Sequence, residues 1–205
     1  RIVVFNDPIY AKDHPEDCIK YGGRAYWPSA YSRDVWEYNV KLAREAVKEF
    51  GFNEIQFDYC RFPDGTWWFD DDEIDYRNPY NESKAQAVQR FLMYATDILH
   101  EHGAYVSADV YGESAYTYVT GYGQYFPAIS NVADVISGMP YPDHFAASGT
   151  WLPWEHPYEV LNKWGANVML RQGETENPAV VRTWIQAYNA IRKPYNTYGV
   201  NEVAA

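Results

Sequence analysis

Residues 51–65 read GFNEIQFDYCRFPDG, and residues 103–112 read GAYVSADVYG. Each run follows an amphipathic stretch of helical period that stops at a glycine, Gly51 or Gly103. Each then alternates along a short strand, reaches an aspartate, Asp58 or Asp109, and breaks into a loop. In the first run Ile55, Phe57 and Tyr59 share one face, and Glu54, Gln56 and Asp58 the other. In the second, Tyr105, Ser107 and Asp109 alternate against Val106, Ala108 and Val110. A strand of a doubly wound sheet is apolar on both faces. A polar parity that ends in an acid therefore predicts strands with helices on one side and a polar lumen on the other. The expected fold class is α/β, of the TIM (β/α)8-barrel type with parallel strands. Such a barrel collects its chemistry at the C-terminal ends of its strands.

The same rhythm extends in both directions. RIVVFND reads as a strand ending at Asp7, followed by a polar loop to about Tyr31. Ser32 can cap the next helix, in which Val40, Ala43, Val47 and Phe50 fall on one face. A long loop from Thr66 to about Glu82 carries Trp67, Trp68 and the acidic run Asp70 to Glu73, which lacks the ligand spacing of a calcium loop. In the helix before Gly103 the apolar stripe is Val88, Phe91, Leu92, Ala95, Ile98 and Leu99. Beyond Asp109 come a Gly- and Tyr-rich loop, a short helical turn near Ala128, and a strand from Asp134 to Met139. An aromatic loop with Trp151 and Trp154, a helix around Tyr158 to Trp164, a strand in RTWIQAY and the start of a helix complete the chain. These are five strands, too few to close a barrel. Either residues 1–205 are a segment of a larger domain, or the fold is an open α/β sheet.

Composition narrows the function. The chain has 205 residues, a formal net charge of -11 and no basic stripe, which argues against nucleic acid as a partner. No apolar run approaches the roughly 20 residues of a membrane-spanning helix. Two cysteines, Cys18 and Cys60, do not make a disulfide framework; Cys60 reads as a small buried residue rather than a nucleophile. Aromatic residues make up 18% of the chain, including 20 Tyr and 8 Trp, an excess suited to stacking on sugar faces.

Two carboxylates delivered to one rim from adjacent strands are the equipment of a glycosidase. Asp58 is the candidate nucleophile or stabiliser of an oxocarbenium-like transition state, kept ionised by Arg61 just beyond it; Asp109 is the candidate general acid. Asp7, Arg61, Tyr111, Tyr141, His144, Trp184, Gln186, Trp27 and Trp67 are the candidate substrate contacts, Gln186 through its amide. Met139 reads as barrel filler. No metal and no cofactor are expected: no H-x-H or H-E-x-x-H spacing supports a metal held by Asp58, Asp109 and His144. Two other functions stay open: a non-catalytic carbohydrate-binding barrel, and a metal-dependent sugar isomerase or deacetylase.

FNEIQFDYCRFPDG, with YWPSAYSRDVWEYNVKLAREA before it and SADVYG, SGMPYPDHF and RTWIQAY after it, resembles a family of glycosyl hydrolases of the (β/α)8-barrel type, whose central motif is approximately GFDEIQFDYIRFP. The resemblance covers nearly the whole chain, with Cys60 in place of a usual aliphatic residue. It implies that residues 1–205 are one domain, an incomplete barrel of about strands 3 to 7 and a segment of a larger barrel, with the missing strands supplied by flanking sequence. It also implies an O-glycosidic bond of a poly- or oligosaccharide as the target, and an exported, extracellular or cell-envelope setting.

Overall fold

A computed structural model describes residues 2–3, 8–21, 24–64 and 73–204. The strands are β1 (Ile2–Val3), β2 (Cys18–Tyr21), β3 (Arg24–Pro28), β4 (Glu54–Asp58), β5 (Ile74–Asp75), β6 (Tyr105–Tyr111), β7 (Val135–Met139) and β8 (Val180–Thr183). The helices are α1 (Pro8–Asp13), α2 (Arg33–Phe50), α3 (Lys84–His100), α4 (Phe126–Ser130), α5 (Pro157–Gly173) and α6 (Val200–Val203).

The helices that cover the sheet begin and end where local chemistry requires it. Ser32 accepts from the amide of Val35 and opens α2; Gly51, at φ 71°, closes it with its N–H on the last-turn carbonyls. Ser83 and Gln86 form a reciprocal capping box at the start of α3. Val88, Phe91, Leu92, Ala95 and Leu99 of α3 are buried, as their spacing predicts. In α2 the buried face is Val35, Trp36, Asn39, Val40 and Ala43. Phe50, expected on that face, is 72% exposed.

β1, β4, β6, β7 and β8 form one sheet in chain order, and every neighbouring pair is parallel. On the helix side Ile55, Phe57, Val106, Ala108, Val110 and Ile136 pack into one core with α2 and α3. Phe57 meets Phe91 edge-on at 5.1 Å between ring centroids. α5 approaches β7 so closely that a Cβ on Gly138 would lie 2.2 Å from Cζ2 of Trp164. That indole in turn donates to the Gly112 carbonyl at 3.0 Å.

The opposite face curls inward. Arg182 of β8 forms an ion pair with Glu54 of β4, across the two strands between them. On a flat sheet three strand spacings are roughly 14 Å. The bond holds Glu54 below the ordinary carboxylate range, chiefly through the hydrogen bond from Arg182. The fold is thus of the (β/α)8-barrel type, present as an incomplete barrel: a parallel, curled sheet with helices outside and a polar inner face.

Three features depart from the sequence reading. The region read as a polar loop up to Tyr31 contains β2 and β3, and the long loop before α3 contains β5; together they form a small antiparallel sheet in the order β3-β2-β5. Its strands are too short for periodicity to reveal. The last strand is Val180–Thr183 rather than RTWIQAY, since the chain leaves the ladder after Trp184 donates its amide to Gly138. α5 is also longer than the stretch Tyr158 to Trp164. Among the described residues no helix is long and apolar enough to cross a membrane.

Candidate active site

The register Phe57 to Ala108 sets Asp58 level with Asp109 on adjacent strands, one spacing of about 4.8 Å apart. Both side chains are buried, at 2% and 1% exposure, and both line one cavity of about 180 Å3 at the C-terminal edge of the sheet. Tyr59, Arg61, Tyr111, Gln124, Met139, Tyr141 and His144 complete its wall. A wider groove of about 490 Å3 adjoins it, sharing Tyr111, Met139 and His144 and adding Asp64, Glu113, Tyr122, Phe145 and Arg192.

The end of β4 is built by a backbone reversal. Tyr59 takes a φ of 55°, in the left-handed region. A non-glycine residue costs about 1 kcal/mol there and persists only where its surroundings hold it. Here the Asp58 carboxylate accepts from the Tyr59 amide at 2.8 Å, and the Arg61 amide closes back onto the Tyr59 carbonyl at 2.8 Å. Tyr59 packs against the hydrophobic core, as alternation predicts, and also lines the cavity wall.

Arg61 is buried among aromatic rings, with its guanidinium 4.8 Å from the centroid of Tyr111, 5.0 Å from Tyr59 and 5.4 Å from Trp27. It pairs with Asp64 at 3.2 Å and donates to the Tyr111 hydroxyl at 3.0 Å. Burial pushes the Tyr111 phenol up to about 12, against the pull of Arg61, so this hydroxyl stays protonated and donates to Asp64 at 3.1 Å. Burial, with Asp109 nearby, also raises the Cys60 thiol, which keeps it protonated and a poor nucleophile.

Asp109 is oriented from the lumen. Its Oδ1 accepts from the Gln56 amide and from the Trp184 indole, the latter at 2.8 Å. Gln56 was legible as a lumen residue by parity, but its contact with Asp109 was not. Gln124, 1% exposed, ties the rim together: its Nε2 donates to the carbonyls of Cys60 and Asp109, and its Oε1 accepts from the Tyr111 amide at 2.9 Å. Nothing in its sequence setting, YGQYF, marks it.

Of the residues singled out from sequence, Asp58, Asp109, Arg61, Tyr111, Tyr141 and His144 meet at this cavity. Met139, read as filler, is part of its wall. Trp184 touches Asp109 from the side and is 42% exposed. Trp27 lies beneath Arg61, in a smaller apolar cavity behind the site. Gln186 is buried away from the cavity, with its amide engaged by Asp143 N and Tyr188 O; a side chain committed to its own chain has little left for a ligand. Asp7 and Trp67 lie outside the described residues.

The sequence profile of a family described as "Putative glycosyl hydrolase domain" matches residues 1–205. No curated protein matches the chain. Among solved structures, the "putative sporulation-specific glycosylase ydhD from Bacillus subtilis" aligns at a TM-score of 0.52 and 12% identity, over 79% of this chain and 46% of that one. The Group IV chitinase of Ostrinia furnacalis aligns at 0.48 and 12% identity, over 83% and 48%. The spore cortex-lytic enzyme SleL of Bacillus megaterium aligns at 0.45 and 16% identity, over 82% and 34%. The chain spans less than half the length of each of these structures.

Proposed function

The chain belongs to the family described as a putative glycosyl hydrolase domain, and on that premise we propose that it cleaves O-glycosidic bonds of a poly- or oligosaccharide with Asp58 and Asp109 as its paired carboxylates. The observation that carries the reading is the burial of both side chains at one cavity, on adjacent strands, at the edge where such barrels work.

In this reading Asp58 is the ionised group that faces the anomeric carbon, either as nucleophile or as stabiliser of the oxocarbenium-like transition state. Asp109 protonates the leaving oxygen. Its Oδ1 is occupied by Gln56 and Trp184, so Oδ2 is the oxygen that would carry the proton. Arg61, fixed by its aromatic surroundings, supplies N–H donors for sugar hydroxyls. The rings of Tyr59, Tyr111 and Tyr141 offer faces for stacking. The adjoining groove, with Glu113 and Arg192, has room for further sugar units. The same reading treats residues 1–205 as one unit of a larger barrel, acting outside the cell on a polymeric glycan.

The test is hydrolysis of a panel of β-glucans, xylans, chito-oligosaccharides and peptidoglycan by the full-length protein. Release of reducing ends by the wild type and not by Asp58→Asn supports the proposal. Glycan binding without hydrolysis, equal in wild type and Asp58→Asn, supports the non-catalytic carbohydrate-binding barrel.

A further inference from the structure

Beyond Asp58 and Asp109, a third buried carboxylate, Asp143, stands one residue before the cavity-lining His144. Pro142, Asp143 and His144 form a single 3-10 turn after β7. The side chain of Asp143 is fully buried. Its Oδ1 lies 2.7 Å from His144 Nδ1 and accepts from the Tyr188 hydroxyl at 3.2 Å; its Oδ2 accepts from the Ile191 amide at 3.2 Å. His144, by contrast, is 44% exposed at its side chain and lines both the cavity and the groove. Tyr141 packs against it edge-on, with ring centroids 5.3 Å apart. One edge of the imidazole is therefore committed to the interior, and the opposite edge, which carries Nε2, is the one left for the cavity.

A neutral imidazole has one N–H and one lone pair, and the partner of one nitrogen decides the state of the other. We propose that Asp143 is a positioning residue: it holds His144 in the Nδ1–H tautomer and so turns an unprotonated Nε2 toward the cavity shared by Asp58 and Asp109, as the acceptor for a substrate hydroxyl. The substrate part of this proposal rests on the glycosidase reading; the tautomer part does not. A carboxylate that served only to hold the loop through Tyr188 and Ile191 would have no consequence for the histidine.

The donors around Asp143 make the two roles separable. The Ile191 amide can only donate. The Tyr188 hydroxyl and His144 Nδ1 can each switch to accepting. In Asp143→Asn the amide oxygen therefore remains with Ile191, and the NH2 group turns to Tyr188 and His144. The loop stays held while the histidine must change tautomer, placing an N–H at Nε2.

The experiment is 15N NMR of the imidazole nitrogens in the full-length, 15N-histidine-labelled protein, at a pH where imidazole is neutral. The chain has five histidines, so His144→Gln identifies the resonance. The expected result is a pyridine-type Nε2 in the wild type and a pyridine-type Nδ1 in Asp143→Asn. Protonated Nε2 in the wild type, or the same tautomer in both proteins, overturns the proposal, and the first of these needs no variant to fold. Kinetics on a glycan that the wild type hydrolyses supply the second readout. Asp143→Asn and His144→Gln should each raise KM about tenfold with kcat little changed, as loss of one uniform binding contact does. An unchanged KM in a tautomer-switched Asp143→Asn overturns the role as substrate acceptor. If the wild type hydrolyses no glycan, the glycosidase reading fails, and the tautomer measurement alone decides whether Asp143 positions His144.

Discussion

Replacing Asp58 with asparagine separates the chemistry of the site from its architecture. The side chains are nearly isosteric, and the Tyr59 amide can donate to an amide oxygen as it does to the carboxylate at 2.8 Å. At that contact the loss is the charge on the hydrogen bond. Bonds to charged groups contribute about 1.5–3 kcal/mol and neutral ones about 0.5–1.5, so the fold should lose on the order of 1 kcal/mol. The left-handed Tyr59 and the reversal to Arg61 should persist. Transition-state stabilisation suffers far more, because an amide cannot compensate a developing positive charge. A loss of at least two powers of ten in kcat is expected, about 2.7 kcal/mol. Asp109→Asn should behave differently: it should be slow on a natural oligosaccharide and nearly unimpaired on an activated aryl glycoside, whose leaving group needs little protonation. The assay compares both substrates for both variants, with thermal unfolding as the control for structure. Near-wild-type turnover of both substrates by Asp58→Asn would refute the reasoning and favour a binding module.

Other perturbations test the frame around the site. Gly138→Ala should destabilise the fold by about 1–3 kcal/mol in denaturant unfolding, because the new methyl would stand 2.2 Å from the Trp164 ring in a packed core. Gln124→Leu should cost about 2–4 kcal/mol and impair activity, since it strands the Cys60 and Asp109 carbonyls and the Tyr111 amide at the rim. Glu54 is held low by Arg182, so its share of the stability is present above the unfolded glutamate value of about 4.3 and is lost as pH falls through the lower, folded value. In melting curves against pH, the gap between wild type and Glu54→Gln should therefore be constant near neutrality and close only on the acid side; a gap that widens below pH 4 would contradict the Arg182 pairing.

Much of this arrangement was legible in the chain itself, for reasons local to it. Alternation along 54–58 and 105–111 put the apolar parity on the helices and the aspartates on the other face, because strand geometry leaves a side chain only two directions. Ser32, Gly51 and Gly103 bounded the long helices, because capping is chemistry between near neighbours. The parallel order of the sheet followed from repeating helix, strand and loop. The contacts that give the site its character depend on strands far apart in sequence. Trp184 reaches Asp109 and Arg182 reaches Glu54 only because the sheet curls, a property of several strands together. Tyr59 keeps its place against the core and also lines the cavity, at a left-handed turn held by Asp58 that no alternation pattern shows. Gln124 and Asp143 take their roles from backbone donors and acceptors that the fold leaves beside them, and no pattern of residue types announces where those will lie.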